Sequence, residues 1–189
     1  LFNLVVINIL NKEALGIVSF AISLITFLSI FSKFGLNHAT LRFASIFYNN
    51  KDKKKILNLI FQVVIISGVS SLIISVTLII FQEQIALKIY NNYDVVNVLK
   101  FFAISLPVFT FIQIQKSILR SFKLPELSNF SDIGSILFVC CFIIFIYHLN
   151  QIDISIHEIS LIFLFSCIFI FFVNNYILFI SVISNLKFS

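Results

Sequence analysis

The chain has 189 residues, of which 60% are hydrophobic and only 11% charged, and its mean hydropathy is +1.09. A soluble domain carries about 25% charged residues, so no soluble core of this size could hide so much apolar surface. The formal net charge of +5 does not indicate nucleic-acid binding, because the cations lie between apolar runs rather than along a stripe with interleaved aromatic residues. Composition therefore predicts a membrane protein.

Five apolar runs are long enough to cross a bilayer as helices, which takes about 17–25 residues, and a shorter run precedes them. The runs are continuously apolar, whereas the strands of a membrane barrel alternate polar and apolar residues. The predicted fold is therefore all-α, a polytopic transmembrane helical bundle of about six spans. The spans are predicted at residues 1–10 (partial), 16–32, 57–81, 99–119, 130–149 and 159–183.

The chain begins with Leu1 and contains no Met. Its first apolar run would extend about 15 Å as a helix, which is half of a bilayer core. We therefore interpret residues 1–189 as a fragment, the N-terminal transmembrane lobe of a longer protein, with a truncated first span. The opening has neither a basic region nor a small-residue cleavage site, so it is not read as a signal peptide.

The distribution of basic residues predicts the orientation of the spans. Of the 13 Lys and Arg residues, 10 belong to the second, fourth and sixth connections and 3 to the others. The positive-inside rule places the connections rich in cations in the cytoplasm. The prediction is a multi-pass protein of the cytoplasmic (inner) membrane. The basic run Lys51–Lys55 is expected to bind anionic membrane lipids without selectivity.

Two spans carry small residues at helical spacing. Gly16, Ser19, Ser23 and Thr26 share one face of the first complete span, and the stripe Gly68–Ser75 lies on the next. Small residues allow helices to approach closely, so both faces are predicted to pack against other helices. The alternative is that their hydroxyl groups line a hydrated cavity.

Polar groups and one proline within the later spans are candidate functional residues. Pro107 lies midway along its span, where it predicts a kink that either gates transport or is static. Gln113, Lys116 and Arg120 form a basic face toward the predicted cytoplasmic end. Asn174, near the middle of the last span, either joins helices or contacts a substrate.

The stretch from Gly35 to Arg42 combines a turn with a cation. Gly35 permits a backbone conformation that other residues avoid, and Asn37 is expected to cap a short second helix. Arg42 would then lie at the inner surface, where it either binds a phosphate or anchors the span among headgroups. Lys116 has the same two interpretations. Asp132 either pairs with these cations or caps its own helix with Ser131.

Two stretches carry a family resemblance. The first is Leu15-Gly16, followed by a span and then by Gly35-Leu36-Asn37-His38-Ala39-Thr40-Leu41-Arg42-Phe43-Ala44. The second is Leu106-Pro107, followed by Gln115 and then by Ile118-Leu119-Arg120-Ser121-Phe122-Lys123. They resemble the first half of the polysaccharide-biosynthesis (O-antigen, Wzx-type) flippases of the multidrug/oligosaccharidyl-lipid/polysaccharide exporter superfamily. The resemblance implies one six-helix lobe of a two-lobe transporter, completed by a C-terminal lobe outside this sequence.

We therefore expect a flippase that moves a lipid-linked oligosaccharide across the membrane by alternating access. The expected substrate-binding residues are Arg42, Lys116, Arg120, Asn37, Gln113 and Asn174, and the expected gating or hinge residues are Gly35 and Pro107. No enzymatic activity, cofactor, metal or nucleic-acid partner is expected, because no nucleophile, paired carboxylates or metal-ligand cluster appears in the spans. The alternatives are a drug or cation antiporter of the same superfamily, a membrane-embedded glycan polymerase or ligase, and a non-transporting scaffold.

Overall fold

The computed structural model of the protein describes residues 2, 5, 6, 12–90, 93–151 and 154–186, and these contain helices and no strand. The all-α prediction is confirmed. The predicted first span, residues 1–10, lies mostly outside the described residues. The helices are α1 (Lys12–Lys33), α2 (Leu36–Asn49), α3 (Lys53–Tyr90), α4 (Asp94–Ser121), α5 (Pro125–Ser128), α6 (Ile133–Leu149) and α7 (Ile156–Leu186), with a 3-10 turn at Asn129–Ser131.

Four of the described helices, α1, α3, α4 and α7, are long and apolar enough to cross a membrane. The segment Pro125–Ser131 joins α6 through a bend of 53° to make a fifth candidate. Helix α3 is longer than its apolar run, since it continues through Gln82–Tyr90, which the sequence assigns to a connection. Many large apolar side chains of α3, α6 and α7 are exposed, as expected of faces that meet hydrocarbon.

Helix α4 is the centre of the bundle and packs against α1, α2, α3 and α7. Its side chains Phe102, Leu106, Phe109 and Ile112 are almost completely buried. The ring of Phe102 stacks on that of Phe163 in α7, with 4.6 Å between the centroids.

Pro107 lies inside α4 without interrupting it. Because proline has no N–H, the carbonyl of Ala103 one turn earlier loses its helical partner. The Ser75 hydroxyl of α3 donates to that carbonyl at 2.6 Å. A neighbouring helix therefore satisfies the backbone group that the proline frees.

Of the two small-residue faces, the one on α3 is buried and the one on α1 is exposed or half-buried. Gly68, Ser71 and Ser75 of α3 are buried, which confirms that this face packs. The corresponding prediction for α1 is wrong, because Gly16 and Ser23 are exposed. The buried face of α1 is instead formed by larger residues, which include Ile17, Val18, Ala21 and Ile25.

Candidate functional site: a buried lysine cluster

Lys33, the last residue of α1, lies deep in the bundle. The Ser70 hydroxyl of α3 donates to the carbonyl of Ser32, the residue before Lys33. Ser70 stands 17 residues after Lys53, the first residue of α3, which corresponds to about 25 Å along the helix. It also lies at the centre of the apolar run 57–81. Lys33 is therefore level with the middle of the span, whereas the sequence assigns it to a cytoplasmic connection.

The break between α1 and α2 is a turn of two residues rather than a long loop. Phe34 and Gly35 both have positive φ, 45° and 74°, and Leu36 already begins α2. The left-handed conformation expected at Gly35 is confirmed, and glycine adopts it without strain. Helix α2 then packs along α4, and both α1 and α2 contact α3.

Two contacts fix the alignment of α1 and α2 against α4. The hydroxyl oxygens of Ser32 and Thr110 are 3.0 Å apart and buried. Further along, the ring of Tyr48 lies 5.3 Å from that of Phe122. Both residue numbers increase from the first contact to the second, so the two chain segments run parallel, and residues 33–47 lie beside residues 111–121 of α4.

Polar side chains are concentrated between these two contacts. From α1 and α2 come Lys33, which is only 8% exposed, Asn37 and Thr40. The oxygens Asn37 Oδ1 and Thr40 Oγ1 are buried and accept no hydrogen bond. From the same stretch of α4 come Gln113 and Lys116, which the sequence also selects. We call these five residues, with Asp132, the Lys33 cluster.

Asp132 neutralises one of the two cations in the cluster. Its carboxylate forms an ion pair with Lys116, whose side chain is 16% exposed. Lys33 and Lys116 are close enough for their charges to interact, and Lys33 has no carboxylate partner among the described residues. When both lysines are protonated, the cluster therefore carries one positive charge more than Asp132 balances. An uncompensated buried charge is costly, so the site favours an anion.

Asp132 takes part in both of the roles predicted for it, with its backbone at the start of α6 and its side chain on a cation. Its backbone occupies the N-cap position of α6, with extended φ and ψ of −87° and 156°. Its side chain makes no capping hydrogen bond and is used for Lys116 instead. The capping role predicted for Asn37 is wrong, because Gly35 occupies the N-cap position of α2 and Asn37 lies inside the first turn.

The two arginines lie away from the cluster. Arg42 is on the exposed side of α2, with its guanidinium 6.0 Å from the ring centre of Phe43. Arg120 is exposed, and its Nε donates to the Ser128 hydroxyl of α5 at 3.2 Å. Arg120 thus ties α4 to the connection that follows it.

Asn174 also lies elsewhere, in the contact between α7 and α4. It is completely buried, and neither amide atom has a hydrogen-bond partner. The rings of Phe111 and Phe171 are in contact, with 6.2 Å between centroids. Because Gln115 and Asn174 each stand one turn beyond that contact, the two lie at the same level. Gln115 is also buried with an unpaired oxygen, so two unsatisfied carboxamides lie at this level of the bundle.

Sequence reasoning missed Lys33 as a site residue, although a signal was present. Only Phe34 and Gly35 separate Lys33 from the amphipathic segment that begins at Leu36. Two residues are too few for a connection that leaves the membrane and returns. When two helical segments are separated by so few residues, a lysine at the end of the first indicates a broken span with a cation at the break.

Comparison with known proteins identifies the family of the chain. The family model described as MatE matches residues 1–145, which is more than half of the chain. No curated protein and no solved structure matches it. The described helices, the broken α1–α2 span and the buried cationic cluster all suit a membrane transporter. The chain belongs to the MatE family, whose members are membrane exporters of the multidrug/oligosaccharidyl-lipid/polysaccharide superfamily rather than enzymes.

Proposed function

We propose that the protein translocates a lipid-linked oligosaccharide across the cytoplasmic membrane by alternating access, for surface polysaccharide biosynthesis. The observation that carries the proposal is the buried side chain of Lys33, which has no carboxylate partner among the described residues and lies level with the middle of the spans. Ionisable residues within a membrane are rare and commonly mark substrate pathways. The diphosphate that links the glycan to its lipid is an anion, and it would supply the negative charge that Lys33 lacks nearby.

The cluster contains further groups suited to a phosphorylated headgroup. Lys116 is held by Asp132 and can exchange that carboxylate for a phosphate oxygen. The unpaired oxygens of Asn37 and Thr40 can accept from sugar hydroxyls or ordered water. Gln113 and Lys116 are substrate-binding candidates from the sequence that share this stretch of interface, whereas Arg42 and Arg120 would act only at the approach to it.

A cation-coupled antiporter is supported less well. Coupling by cation binding would require a carboxylate within a span. Only Asp132 of the eight acidic residues lies within a predicted span, at its start, and it is already paired with Lys116. The proposal also requires a second lobe, which we assign to a C-terminal part of the same protein.

The experiment compares Lys33→Gln with Lys12→Gln, which removes the same charge from the exposed start of α1. The complete protein is reconstituted into liposomes with a fluorescent lipid-diphosphate oligosaccharide, and the label is quenched from outside to measure translocation. One lost charge-assisted hydrogen bond is worth about 1.5–3 kcal/mol, so Lys33→Gln should lower the rate roughly 10- to 100-fold. Lys12→Gln should translocate normally.

Thermal melting in detergent separates this role from a structural one. Because Lys33 has no carboxylate partner, its replacement by Gln should leave the melting temperature unchanged or raise it. Normal translocation by a well-folded Lys33→Gln protein would overturn the proposal. Deletion of the gene should in turn remove surface glycan and accumulate the lipid-linked precursor.

A further inference from the structure

A groove between α2 and α3 lies apart from the Lys33 cluster. It is open to the surface and has a volume of about 350 Å³. Its lining combines one cation and two carboxamides with an apolar floor: Phe43, Phe47, Lys55, Asn58, Leu59 and Gln62. Two surface grooves beside α7, by contrast, have mainly apolar linings.

The polar residues of the groove share one exposed face of α3. Lys55, Asn58 and Gln62 follow helical spacing. Further along the same face, the exposed residues become apolar, as at Val69 and Ile73. The surface of the helix therefore changes from polar to apolar just after Gln62.

This change places the groove at the level of lipid headgroups. Helix α3 has 38 residues and is about 57 Å long, nearly twice the hydrocarbon thickness of about 30 Å. Its ends must extend beyond the hydrocarbon, and the segment from Lys55 to Gln62 covers about 10 Å. Headgroup regions are about 5–7 Å thick on each side. The polar face therefore spans this region and its border with the hydrocarbon.

The groove offers hydrogen-bond donors in a suitable arrangement for an anion. The Lys55 ammonium lies 6.0 Å from the ring centre of Phe47 and 2.7 Å from a carboxylate oxygen of Asp52. Asn58 and Gln62 line the groove, and their amides form no hydrogen bond with another described residue. An ammonium and two amide NH₂ groups can together bind phosphate oxygens.

We propose that this groove binds the headgroup of an anionic phospholipid, with its phosphate on Lys55, Asn58 and Gln62. The adjoining Phe43, Phe47 and Leu59 side chains contact the glycerol and the upper part of the acyl chains. The site is selective, whereas the neighbouring lysines attract anionic lipid only through their charge. It does not depend on the proposed transport activity.

Asp52 competes with the phosphate for Lys55. The hydrogen bond from Lys55 holds the pKa of Asp52 below its ordinary value, so the carboxylate remains ionised in mildly acidic solution. A lipid phosphate must displace this carboxylate from Lys55. Replacing Asp52 by Asn should therefore strengthen lipid binding, in contrast to the other variants.

The experiment measures binding of phosphatidylglycerol to the complete purified protein in detergent, by the rise in melting temperature during lipid titration. Lys55→Gln should raise the apparent Kd about tenfold, Asn58→Leu and Gln62→Leu about threefold each, and Asp52→Asn should lower it. The matched control is Lys54→Gln, which removes the same charge from a residue that does not line the groove. The Lys55 side chain is 64% exposed, so its replacement should not affect folding.

Two results would overturn the proposal. If Lys54→Gln weakens binding as much as Lys55→Gln does, the attraction is diffuse and no site exists. Phosphatidylcholine, inorganic phosphate and a polyprenyl diphosphate are titrated in parallel to identify the source of the phosphate. Binding of inorganic phosphate or polyprenyl diphosphate without phosphatidylglycerol would assign the groove to another ligand and sink the phospholipid proposal.

Discussion

Two helices carry the same pattern of small residues and use it in opposite ways. In α3, Gly68 and Ser75 face α4, and a Cβ added at Gly68 would lie 3.1 Å from Cζ of Phe111. In α1, Gly16 is exposed, and a Cβ added there would meet nothing within 4 Å. Spacing alone thus identifies a face on which close approach is possible, but not whether another helix occupies it.

The hydroxyl groups show why both outcomes are stable. On α1, Ser23 and Thr26 donate to carbonyls four residues earlier in their own helix, each at 2.8 Å. Such a hydroxyl needs neither water nor a partner helix, so it can face lipid at little cost. On α3, Ser75 instead donates to the carbonyl that Pro107 leaves free on α4. The same residue type is self-sufficient in one place and joins two helices in the other.

The strongest test of this contrast is a pair of glycine substitutions. Gly68→Val should destabilise the complete protein by about 1–3 kcal/mol, because the larger side chain overpacks the contact with Phe111. Gly16→Val should change stability by less than about 0.5 kcal/mol. Unfolding titrations with SDS in mixed micelles measure both values. Equal effects would mean that the exposed face of α1 is packed against something in the assembled protein.

A second test extends the contrast to the adjacent asparagines of α7. Asn174 is buried without a partner, whereas Asn175 is exposed and donates to the carbonyl of Phe171 at 3.0 Å. Asn174→Leu should stabilise the protein by about 1 kcal/mol, since it removes an unsatisfied buried amide. Asn175→Leu should have little effect. Destabilisation by Asn174→Leu in the same titration would instead indicate a bound water that Asn174 shares with Gln115.

The smallest expected effect concerns the serine hydroxyls. Ser75→Ala should cost about 0.6 kcal/mol, the average for an interhelical hydrogen bond in a membrane. The loss should disappear when Pro107 is also replaced by Ala, because the Ala103 carbonyl then regains its helical partner. Ser23→Ala serves as the control and should leave stability unchanged. A loss that persists in the Pro107→Ala background would show that Ser75 acts by packing alone.

The helices themselves could largely be predicted from the sequence. The long apolar runs require helices, because no other open segment satisfies its backbone in lipid. The left-handed turn at Gly35 followed from residue type. The helix ends were less predictable, since polar segments such as Gln82–Tyr90 continue an apolar helix without a break.

The candidate site was predictable only in part. Gln113 and Lys116 stood out as polar residues at the end of an apolar span, and Lys116 forms an ion pair with Asp132 in the structure. Lys33 did not stand out, because a lysine after an apolar run normally marks the membrane surface. Its depth depends on the alignment of Ser32 with Ser70, which involves residues far apart in the chain.

By itself, the sequence determined that this protein lies in a membrane, that it is helical and roughly where its spans begin and end. These follow from composition and from hydrogen bonding within each helix, which are local properties. Only the tertiary structure decided which small-residue face packs, where Asp132 directs its carboxylate and how deeply Lys33 is buried. These depend on which helices are neighbours and at what level they meet. Apolar side chains of similar shape do not specify the level at which two helices meet. The sequence alone therefore could not tell whether the small-residue face of α1 packs against another helix.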